Sequence, residues 1–290
     1  MRVGLIGAGR MGGGIRARWQ RAGHEVVTYD ADPARSDVPS LQALVAALPT
    51  PRVVWVMVPA GEATEVTIQE IASHADAGDV IIDGGNSNFH DSQRRGAELA
   101  ARGLHFLDSG TSGGFWGEAN GYCVMVGGAD EAVAVARPLF EAMTEEGGWE
   151  HLGPVGTGHF VKMVHNGIEY GLMQAYGEGY ALLKAYDTPL DLEKISSLWM
   201  HGSVVRSWLL ELAIRAFAAE PELTSLRGVV DDSGEGRWMV QEAVDRAVPM
   251  NVISAALFAR FASREEDAFS MRVLAALRRE FGGHAVHTEG

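Results

Sequence analysis

Over the first half of the chain, short apolar runs alternate with stretches of helical period. The runs are Arg2–Ile6, Glu25–Tyr29, Val53–Val58, Val80–Asp83, His105–Ser109 and Tyr122–Gly127. A strand that is apolar on both faces needs cover on both, as in a parallel sheet with helices above and below. From about Gly158 the period is helical throughout, broken at Asp187-Thr188-Pro189, Glu220-Pro221 and Pro249. The pattern predicts a doubly wound, mainly parallel α/β domain over residues 1–156 and an all-α domain over residues 157–290. Gly153-Pro154-Val155-Gly156-Thr157-Gly158 supplies the turn between them, with Thr157 as the candidate N-cap of the next helix. Pro33–Leu48 is brief for a full crossover helix.

Gly7-Ala8-Gly9-Arg10-Met11-Gly12 follows the first predicted strand and opens a helix through Ile15, Trp19 and Ala22. Such a turn lets backbone approach a pyrophosphate, places the anion at a helix N-terminus and packs helix closely on strand. The second strand ends at Tyr29-Asp30, about 20 residues on, where a carboxylate accepts from ribose hydroxyls. The α/β half therefore reads as a Rossmann dinucleotide-binding domain. Asp30, with Asp32 behind it, repels a 2′-phosphate and favours NAD; Arg35 is the one nearby cation that could favour NADP instead. Val58-Pro59-Ala60-Gly61 and Asp83-Gly84-Gly85-Asn86-Ser87 close the next strands on the same carboxyl edge, and Asn86 can both donate to and accept from a nicotinamide.

In the run from Gly158 to Tyr170, Lys162, His165, Asn166, Glu169 and Tyr170 fall at i, i+3, i+4, i+7 and i+8, one stripe of a helix. Phe160, Val161, Met163, Val164, Ile168 and Leu172 fill the other positions, so the helix is expected to be buried except along the stripe, which would line a cleft. Near the helix N-terminus, dipole and burial both disfavour the ammonium form of Lys162 and make it a candidate base for an alcohol proton. Glu169, kept protonated by apolar surroundings, is a candidate acid. A structural Lys-Glu pair is the plain alternative.

Composition narrows the class. The chain has 290 residues, 47% of them hydrophobic, enough for two cores, and a formal net charge of -14. That charge disfavours nucleic acid and anionic membranes as partners and requires a local basic pocket for any anionic substrate. Cys123 is the single cysteine, which excludes an internal disulfide and a cysteine metal cage and fits a reducing cytoplasm. No metal, signal peptide or membrane-spanning run is expected.

Together the glycine turn, Val58-Pro59-Ala60-Gly61, Asp83 to Ser87, Ser112-Gly113-Gly114 and the run Gly158 to Tyr170 resemble the 6-phosphogluconate dehydrogenase family, within the β-hydroxyacid dehydrogenase group and close to its short bacterial branch. The resemblance implies oxidation of the C3 hydroxyl of 6-phosphogluconate, loss of carbon dioxide and protonation to ribulose 5-phosphate, in the pentose phosphate pathway. By position it makes Lys162 the base that becomes an acid and Glu169 the donor to C1. Ser112, Gly113, Gly114, His165 and Asn166 would hold the sugar acid, with Asn86 near substrate and nicotinamide. Tyr170, Arg260 and, from a partner's tail, Arg278 and His284 would hold the phosphate, which implies a homodimer or homotetramer. One departure bears on that grip. Asp232-Ser233-Gly234-Glu235-Gly236-Arg237-Trp238 lacks the lysine and threonine of the long members, so part of the grip is missing or moved to Arg237. Two alternatives stand beside this reading: another β-hydroxyacid dehydrogenase or imine reductase acting on a small non-phosphorylated substrate, and a non-catalytic nucleotide-sensing protein.

Overall fold

The computed structural model describes residues 1–282 and divides into two compact units, Met1–His165 and a second from Asn166 onward. In the first, β1 (Arg2–Ile6), β2 (Glu25–Tyr29), β3 (Val53–Val56), β4 (Val80–Asp83), β5 (His105–Ser112), β6 (Tyr122–Gly127) and β7 (Thr144–Gly153) form one sheet in the order β2-β1-β3-β4-β5-β6-β7. Pairing is parallel from β2 through β5, turns antiparallel between β5 and β6, and is parallel again between β6 and β7. The polar segment Thr144–Gly153 carries no apolar run because β7 is an edge strand, half uncovered, and its strand character comes from pairing with β6.

Period-two alternation sends the strand side chains to two cores. Val3, Leu5, Trp55, Ile82 and Leu107 join Ile15 and Trp19 of α1 (Arg10–Arg21) and Leu139 and Phe140 of α6 (Asp130–Met143) on one face. Ile6, Val54, Val56, Ile81 and Phe106 join α2 (Leu41–Ala46), α3 (Glu62–His74) and α4 (Phe89–Ala100) on the other. The segment from Pro33 to Leu48 holds a single 3-10 turn and the six-residue α2, capped by the Ser40 hydroxyl accepting from the Ala43 amide at 3.1 Å. After β5 come a second 3-10 turn and the short α5 (Gly117–Asn120).

The 28-residue α7 (Thr157–Lys184) leaves the sheet and runs into the second unit. There α8 (Leu192–Trp199), α9 (Trp208–Ala219), α10 (Glu235–Asp245), α11 (Asn251–Ala262) and α12 (Phe269–Gly282) are all helical, as the period predicts. Tyr170, Ala256 and Leu257 centre a core there, with Val240 and Phe261 against it. Gly167 lets α10 approach α7, since a Cβ there would lie 2.0 Å from the Met239 sulfur. Among the described residues no helix is long and apolar enough to cross a membrane.

Candidate active site

Strand order reverses between β1 and β3, and the carboxyl edge at such a point is where open α/β sheets bind ligands. The glycine turn sits there. Gly7 has φ +88°, and a Cβ on it would lie 2.4 Å from the Met57 carbonyl oxygen, while one on Gly12 would lie 1.9 Å from that of Gly7. Gly9 has open space around it and begins α1 with no side-chain cap, so Arg10 and Met11 enter the helix at a turn fit for a pyrophosphate. One Asp30 carboxylate oxygen accepts from the Ala8 amide at 2.7 Å and the other from the Asp32 amide at 2.8 Å. Each oxygen keeps a further lone pair for a ribose hydroxyl. Arg35 is exposed and pairs with Asp32 at 3.3 Å.

The other two turns flank this edge. Val58 is half-buried and Pro59 and Ala60 are exposed, with Thr64 donating to the Pro59 carbonyl at 2.9 Å. Asn86 is exposed on a turn anchored from below. The buried Asp83 accepts from the Ser87 hydroxyl at 2.7 Å and from Arg95 at 3.2 Å, and Arg95 reaches Glu65 at 2.8 Å. Asp83 and Arg95 are each 1% exposed, an ion pair that sequence reasoning missed because its partners are twelve residues apart on a strand and a helix.

Along α7 burial divides differently from the expected pattern: Met163 is buried as expected and His165 and Glu169 are half-buried, but three polar positions are covered and three apolar ones are not. Lys162, Asn166 and Tyr170 are 5%, 9% and 5% exposed, whereas Val161, Ile168 and Leu172 are 36%, 51% and 46% exposed. The polar stripe is where the polar partners are, and buried polar groups persist when hydrogen-bonded. Lys162 rests on the bare backbone of Gly110, where a Cβ would lie 2.4 Å from its own Cβ, and the His165 Nε2 is 3.4 Å from the Ser112 hydroxyl. Gly113 and Gly114 follow at φ +121° and +48°. Glu169 is half-buried. Thr157 is the first residue of the helix, and its hydroxyl donates to the Pro154 carbonyl at 2.8 Å instead of capping; the capping group is the buried Asp108 of β5, accepting from the amides of Gly156 at 2.6 Å and His159 at 2.7 Å.

Within the second unit, Asn166 donates to the buried Glu235, which also accepts from the Ser233 hydroxyl at 3.2 Å. The Tyr170 hydroxyl accepts from the Ser233 amide at 2.9 Å, and the Arg260 guanidinium lies 3.5 Å over the Tyr170 ring. Arg237 is held by Asp232 at 2.8 and 3.0 Å, and Arg264 meets the same carboxylate at 3.2 Å. Tyr170 and Arg260 are thus brought together, with Arg237 and Arg264 gathered on Asp232. Arg278 is exposed on α12, joined to neither Tyr170 nor Arg260 among the described residues, and His284 lies outside them.

Residues 2–156 match the model for the NAD binding domain of 6-phosphogluconate dehydrogenase, and residues 158–284 match that for the 6-phosphogluconate dehydrogenase C-terminal domain. The chain belongs to the 6-phosphogluconate dehydrogenase family. Among members of that family, YqeC of Bacillus subtilis, provisionally a 6-phosphogluconate dehydrogenase, is 42% identical over 98% of this chain and 99% of its own. The NAD(+)-dependent, decarboxylating 6-phosphogluconate dehydrogenase of Haloferax volcanii is 44% identical over 99% of this chain and 98% of its own. The solved 6-phosphogluconate dehydrogenase of Plasmodium falciparum superposes with TM-score 0.84 at 28% identity, covering 100% of this chain, which spans 66% of that longer one.

Proposed function

We propose that this family member is an NAD-dependent enzyme that oxidatively decarboxylates 6-phosphogluconate to ribulose 5-phosphate, a cytoplasmic step of the pentose phosphate pathway. The observation that carries the reading is the buried Lys162 stem on Gly110, with Ser112 and His165 beside it. A buried amine near a helix N-terminus loses its proton more readily than a solvated one. Lys162 then takes the C3 hydroxyl proton. NAD, when bound, supplies the hydride acceptor; Gly7 to Gly12, Asp30, Val58, Pro59, Ala60 and Asn86 are the residues to hold it. As carbon dioxide leaves the 3-keto acid, Lys162 returns its proton to the carbonyl oxygen and an enediol forms; Glu169 then protonates C1 while Lys162 takes the hydroxyl proton back, which leaves the ketone of ribulose 5-phosphate. Ser112, Gly113, Gly114, His165 and Asn166 orient the sugar acid, and Tyr170, Arg260, Arg278 and His284 hold the phosphate.

NAD is favoured over NADP because Asp30 directly follows β2 and its carboxylate would repel a 2′-phosphate, and the Haloferax volcanii relative is NAD(+)-dependent. A homodimer or homotetramer is supported by Ile168, Leu172, Leu182 and Tyr186, apolar and exposed along α7 and just past its end; in it the tail would complete the neighbour's site. One observation favours a second reading, a non-phosphorylated hydroxy acid as substrate: Arg237, the substitute for the missing lysine, is already held by Asp232. An assay of the purified protein with each cofactor, reading reduced cofactor and carbon dioxide together, decides. Both should form from 6-phosphogluconate with NAD. Reduced cofactor without carbon dioxide would refute decarboxylation, and turnover of gluconate but not 6-phosphogluconate would establish the second reading. Lys162→Met should abolish turnover and leave NAD binding intact.

A further inference from the structure

We propose that Asp108 is a positioning residue for Lys162: it locks the first turn of α7 onto β5 and sets the proton affinity of the amine, an inference that rests on reading Lys162 as the base. Residues two apart share a face of a strand, and residues three apart share a face of a helix. Asp108, Gly110 and Ser112 of β5 meet, in order, His159, Lys162 and His165 of α7. The three rungs are the carboxylate at 2.7 Å from the His159 amide, the Gly110 backbone against the Lys162 stem, and the Ser112 hydroxyl at 3.4 Å from His165. Ser92 of α4 adds a second hold on the same turn, its hydroxyl 2.7 Å from the His159 Nδ1.

A helix capped by its own N-terminal residue is free to slide along a sheet, because the cap moves with it. Here the local hydroxyl, Thr157, is turned to Pro154, and the cap comes from the sheet, 48 and 51 residues away. The Asp108 bonds therefore fix α7 along its own axis. Gly110 makes that register exacting, since a Cβ there would also lie 2.9 Å from the Gly158 carbonyl oxygen. A slide of one residue would carry Lys162 about 1.5 Å along the helix axis and rotate it off the glycine.

The carboxylate also carries charge. Asp108 is 0% exposed and sits at the positive end of α7, where it offsets the helix dipole that disfavours the Lys162 ammonium. Among the other titratable groups around this junction, Asp83 of β4 is engaged by Arg95 of α4, and His159, His165 and Glu169 lie on α7 itself. Removing the charge of Asp108 should make the amine easier to deprotonate.

The test is the pH dependence of kcat with 6-phosphogluconate and NAD in Asp108→Asn. The amide keeps one acceptor and turns its NH2 toward an amide donor, so the turn loosens as the charge disappears. Expected are a fall in kcat of about tenfold or more, an acid limb displaced to lower pH by about half a unit or more, and a KM for NAD within about twofold of wild type, because the glycine turn is untouched. A folded, active variant with the wild-type acid limb would overturn the proposal. Should D108N fail to fold, two further measurements decide. Gly110→Ala should lower kcat comparably, and wild-type kcat in that variant would overturn the register argument. In the unsubstituted protein the Gly156 and His159 amides should be among the slowest to exchange hydrogen, and fast exchange there would overturn the cap. If the unsubstituted protein fails to turn over 6-phosphogluconate, the functional reading itself falls, an outcome distinct from any of these.

Discussion

At Asp30 one carboxylate closes the glycine turn through the Ala8 amide and steadies its own loop through Asp32, and in the proposed cofactor site it is the group that accepts from the ribose. Asp30→Ser should therefore weaken NAD binding and relieve the repulsion of a 2′-phosphate together. The ratio of kcat/KM for NADP to that for NAD should rise about tenfold or more, the scale of one hydrogen bond to a charged group; an unchanged ratio would mean that specificity lies elsewhere. Two other carboxylates report on stability. Arg94 first, then Arg95 and Gln69, hold Glu65 down from the usual 4.5 to about 2 against the opposing effect of burial. Arg237 chiefly holds Asp232 down from 3.8 to about 2. A carboxylate depressed in the folded state stabilises fully above its unfolded value and loses that contribution as pH falls toward its folded one. The melting temperature should fall as pH drops from about 5 to about 2.5, and less steeply in the double variant E65Q/D232N, with solvent screening keeping each effect small. Identical slopes would rule these pairs out as the source. Asp30 was legible in the sequence because its distance from the glycine turn is characteristic. Glu65 and Asp232 were not, since nothing local marks which of 38 acidic residues meets a guanidinium.

The turn from Asp83 to Ser87 shows how an element end is held in place. Asn86 itself is exposed, and its geometry is inherited from Asp83, Ser87 and Arg95 beneath it. Deleting one partner of a buried pair leaves the other charged and desolvated, so Arg95→Met should cost about 3–5 kcal/mol in chemical denaturation. Arg94→Ala, on the exposed side of the same network, should cost about 0–1 kcal/mol. Equal losses would show that burial does not govern this network. Helix α7 is the contrasting case. Its period and its polar stripe were plain in the sequence, yet Lys162, Asn166 and Tyr170 of the stripe are buried while Ile168 and Leu172 face outward. Periodicity identifies two faces of a helix; which one is covered depends on what the rest of the chain presents, here Gly110 to Lys162 and Glu235 to Asn166.

For the molecule as a whole, the outward apolar face of α7 is the surface on which the proposed homo-oligomer would rest, since an apolar contact between copies of net charge -14 brings fewer like charges together than a charged one. Light scattering should give a dimer or larger assembly for the native protein and a smaller species for the double variant I168D/L172D. Retention of the native mass would move the interface elsewhere. The sequence by itself determined the first six strands in their order along the chain, the glycine turn with Asp30 at its edge, the all-helical second half and the Lys162-to-Tyr170 stripe, because each is written in spacings of a few residues. The tertiary structure decided the rest. It turned β6 against β5, added β7 through edge pairing, made Asp108 and not Thr157 the cap of α7, and buried Arg95 on Asp83. Those outcomes rest on contacts between residues far apart in the chain, and no local period encodes them.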